Sequence, residues 1–134
     1  MSIEANKTLV KRFYDAIQKQ DFDEVRKLCH KDFVFYPQVD RPLVGVQAFI
    51  DAEKKHFDAF EGFKMPLVTM VAEGDRVAAY LIFEGKQTGE FYGIAPKRQA
   101  LRMSLLMLLR IADDKIIEKR AHYDMHDILR QLGA

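Results

Sequence analysis

One cysteine in 134 residues, Cys29, leaves no room for a disulfide framework within the chain or for a cysteine-built zinc site. Charge of one sign is also missing. With 21 Lys and Arg against 20 Asp and Glu, the formal net charge is +1, and no block of like charge stands out. That balance argues against a nucleic-acid partner, which calls for a basic face. The local pair Lys97-Arg98 reads as a solvated turn. Long apolar runs are absent too. The longest, Leu105-Leu106-Met107-Leu108-Leu109, is bounded by Ser104 and Arg110 and is far short of the ~20 residues of a membrane span. The first residues lack the apolar stretch of a signal peptide, so the expected location is the cytoplasm.

Half of the chain is hydrophobic, 49% by composition, which suffices for one core at this length. The expectation is one domain over residues 1–134, with no repeat and no linker. Helices come first and strands later, the order of an α+β fold. Leu9, Val10, Phe13, Tyr14 and Ile17 recur at helical spacing, and that helix ends near Gln20. Asp21-Phe22-Asp23-Glu24 has the form of a capping box. It opens a second helix with Val25, Leu28 and Cys29 inward and His30 at its end. Residues 32–36 read as a strand, and Pro37 and Pro42 hold the following segment extended. After Gly45 a third helix carries Val46, Phe49, Ile50, Phe57 and Phe60 on one stripe and stops at Gly62.

The rest reads as an antiparallel meander: residues 63–72, a turn at 73–76, 77–83, an interruption at Gly85 and Gly89, 91–95, 101–111, and 116–124. A short helix over 125–132 closes it. Residues 101–111 are apolar on both faces, with Leu106 and Leu108 on the side opposite Met103, Leu105, Met107 and Leu109. A strand of that kind needs cover on both sides, which predicts a symmetric homodimer through the sheet at Leu106, Leu108 and Tyr123.

Several strings carry a family likeness: Ala72-Glu73-Gly74-Asp75-Arg76-Val77-Ala78, Gly89-Glu90-Phe91-Tyr92-Gly93-Ile94-Ala95-Pro96, and Glu118 through Asp124 to Gln131-Leu132-Gly133. Phe13-Tyr14-Asp15-Ala16-Ile17 and Gly45-Val46-Gln47-Ala48-Phe49 add to it. Together, in this order, they resemble the SnoaL-like polyketide cyclases. The resemblance implies the fold of nuclear transport factor two and ketosteroid isomerase: a cone-shaped curved sheet packed with N-terminal helices around an apolar pocket. It implies dimers through the outer sheet face, and intramolecular aldol closure of a polyketide without metal or cofactor. It also implies that an aspartate at the end of the last strand, Asp124 here, acts as acid and base. The family tryptophan four residues earlier is Arg120 in this chain, and the histidine before it is Lys119.

On that reading the even-numbered face of the last strand lines the pocket. Arg120, His122 and Asp124 then form a row of guanidinium, imidazole and carboxylate suited to proton abstraction beside a carbonyl. Asp124 is equally placed to cap the terminal helix, Arg120 to pair with Glu118, and His122 to be a pocket histidine without a chemical role. Phe13, Tyr14, Phe33, Tyr36, His56, Phe57, Phe60, Tyr80, Tyr92, Met103 and Leu105 are the expected lining for a small hydrophobic or aromatic carbonyl ligand; Phe91 is a further candidate. No metal-ligand spacing and no phosphate loop appears in the sequence. Three functions remain open at this point: a cofactor-independent cyclase or isomerase, a binding protein for a hydrophobic metabolite, and an adaptor that uses the sheet surface.

Overall fold

A computed structural model describes residues 2–133. Helix α1 (Ile3–Lys19) starts at Ser2, whose hydroxyl accepts from the Ala5 N–H, and ends at Gln20 in a left-handed conformation. Helix α2 (Phe22–Leu28) is capped by Asp21, which accepts from the Glu24 N–H. The reciprocal half of the capping box is missing because Glu24 pairs with Arg12 at 2.7 Å instead. Cys29 and His30 belong to strand β1 (Cys29–Tyr36), not to the helix. The His30 ring nitrogen Nε2 lies 3.1 Å from Asp113 Oδ2.

Strand β2 (Leu43–Val44) pairs with β1 and leads through Gly45, at φ 91°, into helix α3 (Val46–Asp58). A residue with a side chain at that φ would be strained. The helix ends four residues short of Gly62, so Phe60 opens strand β3 (Phe60–Lys64) rather than closing the helix. Pro66 then breaks the expected strand 63–72 in two, and strand β4 (Leu67–Glu73) follows. Strand β5 (Arg76–Gln87) runs straight through Gly85. A Cβ there would meet the Phe60 Cβ at 3.0 Å, so this glycine marks a close approach to β3 rather than an interruption. Residues 91–95 form a loop with one bridge, Phe91 to Ile94, and no strand. Strands β6 (Ala100–Ala112) and β7 (Lys115–His122) and helix α4 (Met125–Gln131) complete the chain.

The sheet order is β2-β1-β7-β6-β5-β3, with β4 also on β5. All neighbours are antiparallel except β1 and β7, which run parallel. The sheet is thus the expected curved antiparallel one, with this single parallel pair added. The fold is α+β, with four helices among the described residues and a curved sheet. None of these helices is long and apolar enough to cross a membrane.

One irregularity decides what the sheet presents. Arg110 faces Glu118, but its neighbour Ile111 faces Ile116, so Ile117 is an extra residue on β7. A bulge of this kind reverses the alternation of all that follows. Ile116 is buried before it; Lys119 and Ala121 are buried after it. The opposite row, Arg120 and His122, joins Leu106, Leu108, Tyr80 and Val71 on the outer face. There Leu106 is 48% and Val71 66% exposed.

Candidate functional site

The concave side of the sheet and the helices line a cavity of about 690 Å³ that is open to solvent at its mouth. Most of its lining is apolar: Phe35, Phe57, Phe60, Met65, Phe83, Phe91, Met103, Leu105 and Met107. That volume suits a ligand of one to three rings. The phenylalanines are locked against one another. Phe57 stacks on Phe63 at 4.3 Å, and Phe60 meets Phe83 and Phe91 edge-on. The loop that brings Phe91 and Tyr92 to the cavity is held by buried Gln87, whose side-chain NH2 donates to the Gly89 and Ile94 carbonyls.

Among the polar side chains that line this largely apolar space are Tyr14 from α1, Glu53 and His56 from α3, and Lys119 from β7; Gln38, Arg41, Tyr92 and Tyr123 border it as well. Glu53 lies one helical turn from both Phe49 and Phe57, on the stripe that faces the core. Burial raises its carboxyl pKa, and the Lys119 charge opposes that only in part. The Tyr14 hydroxyl is buried without a hydrogen-bond partner among the described residues. Burial, then the nearby Glu53, push its pKa well up, so it stays protonated and can donate. Burial also lowers the pKa of His56, with Lys55 and Lys119 adding to the effect, which keeps the imidazole neutral. Tyr92 and Tyr123 lie at the same wall, where burial and the Tyr123 hydroxyl raise the pKa of Tyr92.

Lys119 is 2% exposed. Its register partners are Leu109 on β6 and Phe35 on β1, both buried and apolar. Burial brings its pKa down to about 8, though Glu53 and Cys29 act the other way. Among the described residues no group of three or more His, Cys, Asp or Glu is arranged to hold a metal ion.

The expected residues divide sharply. Tyr14, His56, Phe57, Phe60, Tyr92, Met103 and Leu105 line the cavity, as does Phe91. Phe13 and Phe33 are fully buried in the core behind it, in edge or stacked contact with Phe49. Tyr36 lies on the outer row under the Arg120 guanidinium, 3.9 Å from its ring centre. Tyr80 lies on the outer face as well.

The expected row of Arg120, His122 and Asp124 is not in the cavity, because the bulge at Ile117 turns it outward. Arg120 pairs with Glu118 at 3.1 Å. His122 is exposed. Asp124 is the N-cap of α4 and accepts from the Asp127 N–H at 3.1 Å. Asp124 also borders a shallow outer depression of about 290 Å³ with Tyr80, Arg102 and Asp127. The same bulge puts Tyr123 on the cavity side, so it does not belong with Leu106 and Leu108 on the outer face. Replacing Asp124 by Ala should cost about 0.5–2 kcal/mol of stability through the lost cap, read as a lower thermal midpoint. Chemistry in the cavity should survive that change. A loss of activity at full folding would return Asp124 to the site.

Glu53 and Lys119 were not among the expected site residues. The signal for Glu53 is a carboxylate at a core position of an apolar helical stripe. Lys119 leaves a weaker one, a cation that alternates with apolar Ile117 and Ala121 and whose facing depends on the bulge.

The family model for SnoaL-like polyketide cyclases matches residues 8–132. A nogalonic acid methyl ester cyclase of Streptomyces nogalater is 28% identical over 113 residues, covering 83% of this chain and 84% of its own. The crystal structure of AclR from Streptomyces galilaeus superposes with a TM-score of 0.86 at 26% identity, over 98% of this chain and 87% of that one. A SnoaL-like protein of Jannaschia sp. CCS1 superposes with a TM-score of 0.91 at 23% identity, over 100% and 96% of the two chains.

Proposed function

The chain belongs to the SnoaL-like polyketide cyclase family, and from that premise we propose a cofactor-independent cyclase or isomerase that moves a proton next to a carbonyl of an apolar, ring-sized substrate. The carrying observation is the Glu53 carboxyl, the Tyr14 phenol and the His56 imidazole lining one largely apolar cavity, where burial raises the pKa of the first two and lowers that of the third. In this reading the Glu53 carboxylate takes the α-proton. The Tyr14 hydroxyl, without a hydrogen-bond partner among the described residues, donates to the carbonyl oxygen as it becomes an enolate. His56, neutral and beside the aromatic wall of Phe91 and Tyr92, relays the proton back. The enolate carbon then closes on a second carbonyl, or is reprotonated elsewhere.

Two probes test this. Nogalonic acid methyl ester, the substrate named for the relative, tests ring closure. The ketone 2-tetralone in deuterium oxide tests proton removal alone, by loss of its α-proton NMR signals. Exchange by the native protein that is lost in Glu53→Gln supports the reading; equal exchange in both proteins removes it.

The exposed row of Leu106, Tyr80 and Val71 supports a second, separate proposal, a homodimer through the outer sheet face. Light scattering should give twice the chain mass at micromolar concentration and the single-chain mass for Leu106→Glu. A native monomer there would end this proposal.

A further inference from the structure

Lys119 is not needed by the acid and base steps above, yet its position is difficult to explain as structure. A lysine near a surface extends its ammonium to water; this one is sealed in by Leu109, Phe35 and Phe49. Among the described residues its Nζ has one hydrogen-bond partner, the Met107 sulfur at 3.5 Å, and it lies 4.5 Å and 5.1 Å from the ring centres of Phe35 and Phe49. None of these is a strong acceptor for an ammonium with three N–H groups. No carboxylate is in ion-pair contact with it among the described residues. The groups that bear on it electrostatically are Glu53 and His56 from α3 and Cys29 from β1. Lys119 borders the same cavity as Glu53 and Tyr14.

We infer that Lys119 is a nucleophilic amine, whose Nζ condenses with the carbonyl carbon of an apolar aldehyde or ketone held in the cavity to form an imine. The inference rests on the cavity being the reaction site proposed above. The nitrogen lone pair attacks the carbonyl carbon, and the π pair moves to oxygen, which takes a proton from the Glu53 carboxyl. The nitrogen gives one proton back to Glu53. Loss of the hydroxyl as water, with a second proton from Glu53, leaves a protonated imine. Removal of an α-proton by Glu53 gives an enamine, whose carbon attacks a second carbonyl; the nitrogen lone pair re-forms the protonated imine, and the new alkoxide takes the proton back from Glu53. Water then hydrolyses the protonated imine and frees the amine, so the water lost on entry is returned. An amine that titrates at about 8 is neutral in roughly one molecule in ten at pH 7, against fewer than about one in a thousand for an ordinary lysine.

The test treats native protein at pH 7.5 with 2-naphthaldehyde and sodium cyanoborohydride, then maps the reduced adduct by peptide mass spectrometry. The expected result is an adduct at Lys119 exceeding that at any other lysine by at least ~10-fold, given the greater share of neutral amine. It should be absent from Lys119→Met and Lys119→Arg, both checked for folding by circular dichroism. Modification spread over the surface lysines with Lys119 untouched overturns the inference. The two readings fail separately. An adduct at Lys119 with tetralone exchange indifferent to Glu53→Gln leaves the amine and removes the base. Exchange that depends on Glu53 with no adduct leaves the base and removes the imine.

Discussion

The double variant Glu53→Gln, Lys119→Met should melt higher than the native protein, by roughly 5–15 °C, while losing all exchange and labelling in the cavity. Lys119 is buried in an apolar interior, and half-buried Glu53 lines the same cavity without a direct ion pair to it among the described residues. Replacing such a pair with neutral groups of similar shape commonly stabilises by about 1–4 kcal/mol. The Lys119 displacement alone, from 10.5 to about 8, corresponds to about 3 kcal/mol at neutral pH. Its pH signature is distinct. Between pH 8 and 10.5 the unfolded chain holds a proton that folded Lys119 has released, so this group makes native stability rise with pH through that window. Cys29, raised from 9.0 to about 12 by burial, works in the opposite direction above pH 9. The difference between native protein and Lys119→Met isolates the lysine. Denaturant melts at pH 7, 9 and 10.5 measure it, and a double variant less stable than native would show that the pair supports the fold.

Glu53→Gln alone should lower ketone exchange by ~10²–10⁴-fold, the usual worth of a positioned general base. Gln keeps the size and polarity of the side chain and removes only the ionisable oxygen, so binding of 2-tetralone should change little. Since the folded carboxyl titrates above the ordinary carboxylate range, the native rate should climb with pH and reach half its plateau above pH 4.5. Glu53→Asp should keep that climb at a lower plateau, because the base is withdrawn by one methylene. A native profile flat from pH 4 to 8 would exclude Glu53 as the group that takes the proton.

How far the sequence carried these assignments varies by element. The amphipathic stripes of α1 and α3, the turn at Gly74 and the N-cap at Asp124 depend on neighbours in sequence, and all were legible. So was the aromatic wall, since Phe57, Phe60 and Phe91 repeat within two short segments. The parallel pairing of β1 with β7 joins residues 84 to 87 positions apart and leaves no local pattern. The facing of Lys119 was hidden for a related reason. Simple alternation from buried Ile116 points the even residues inward, and only the register against β6 shows that Ile117 is supernumerary. Glu53 is a charged residue on a helix, a type that water usually solvates, and only its place on the apolar stripe between Phe49 and Phe57 marks it.

That supernumerary isoleucine changes how the strand must be counted without changing what it presents. Deleting its codon would set Glu118 directly after Ile116 in an unbroken ladder, with Lys119 still inside and Arg120 still outside. Two relatives that differ by such an indel would therefore keep the same side chains in the chamber. Counting by twos from Ile116 would name those side chains correctly for the shorter chain and wrongly for this one.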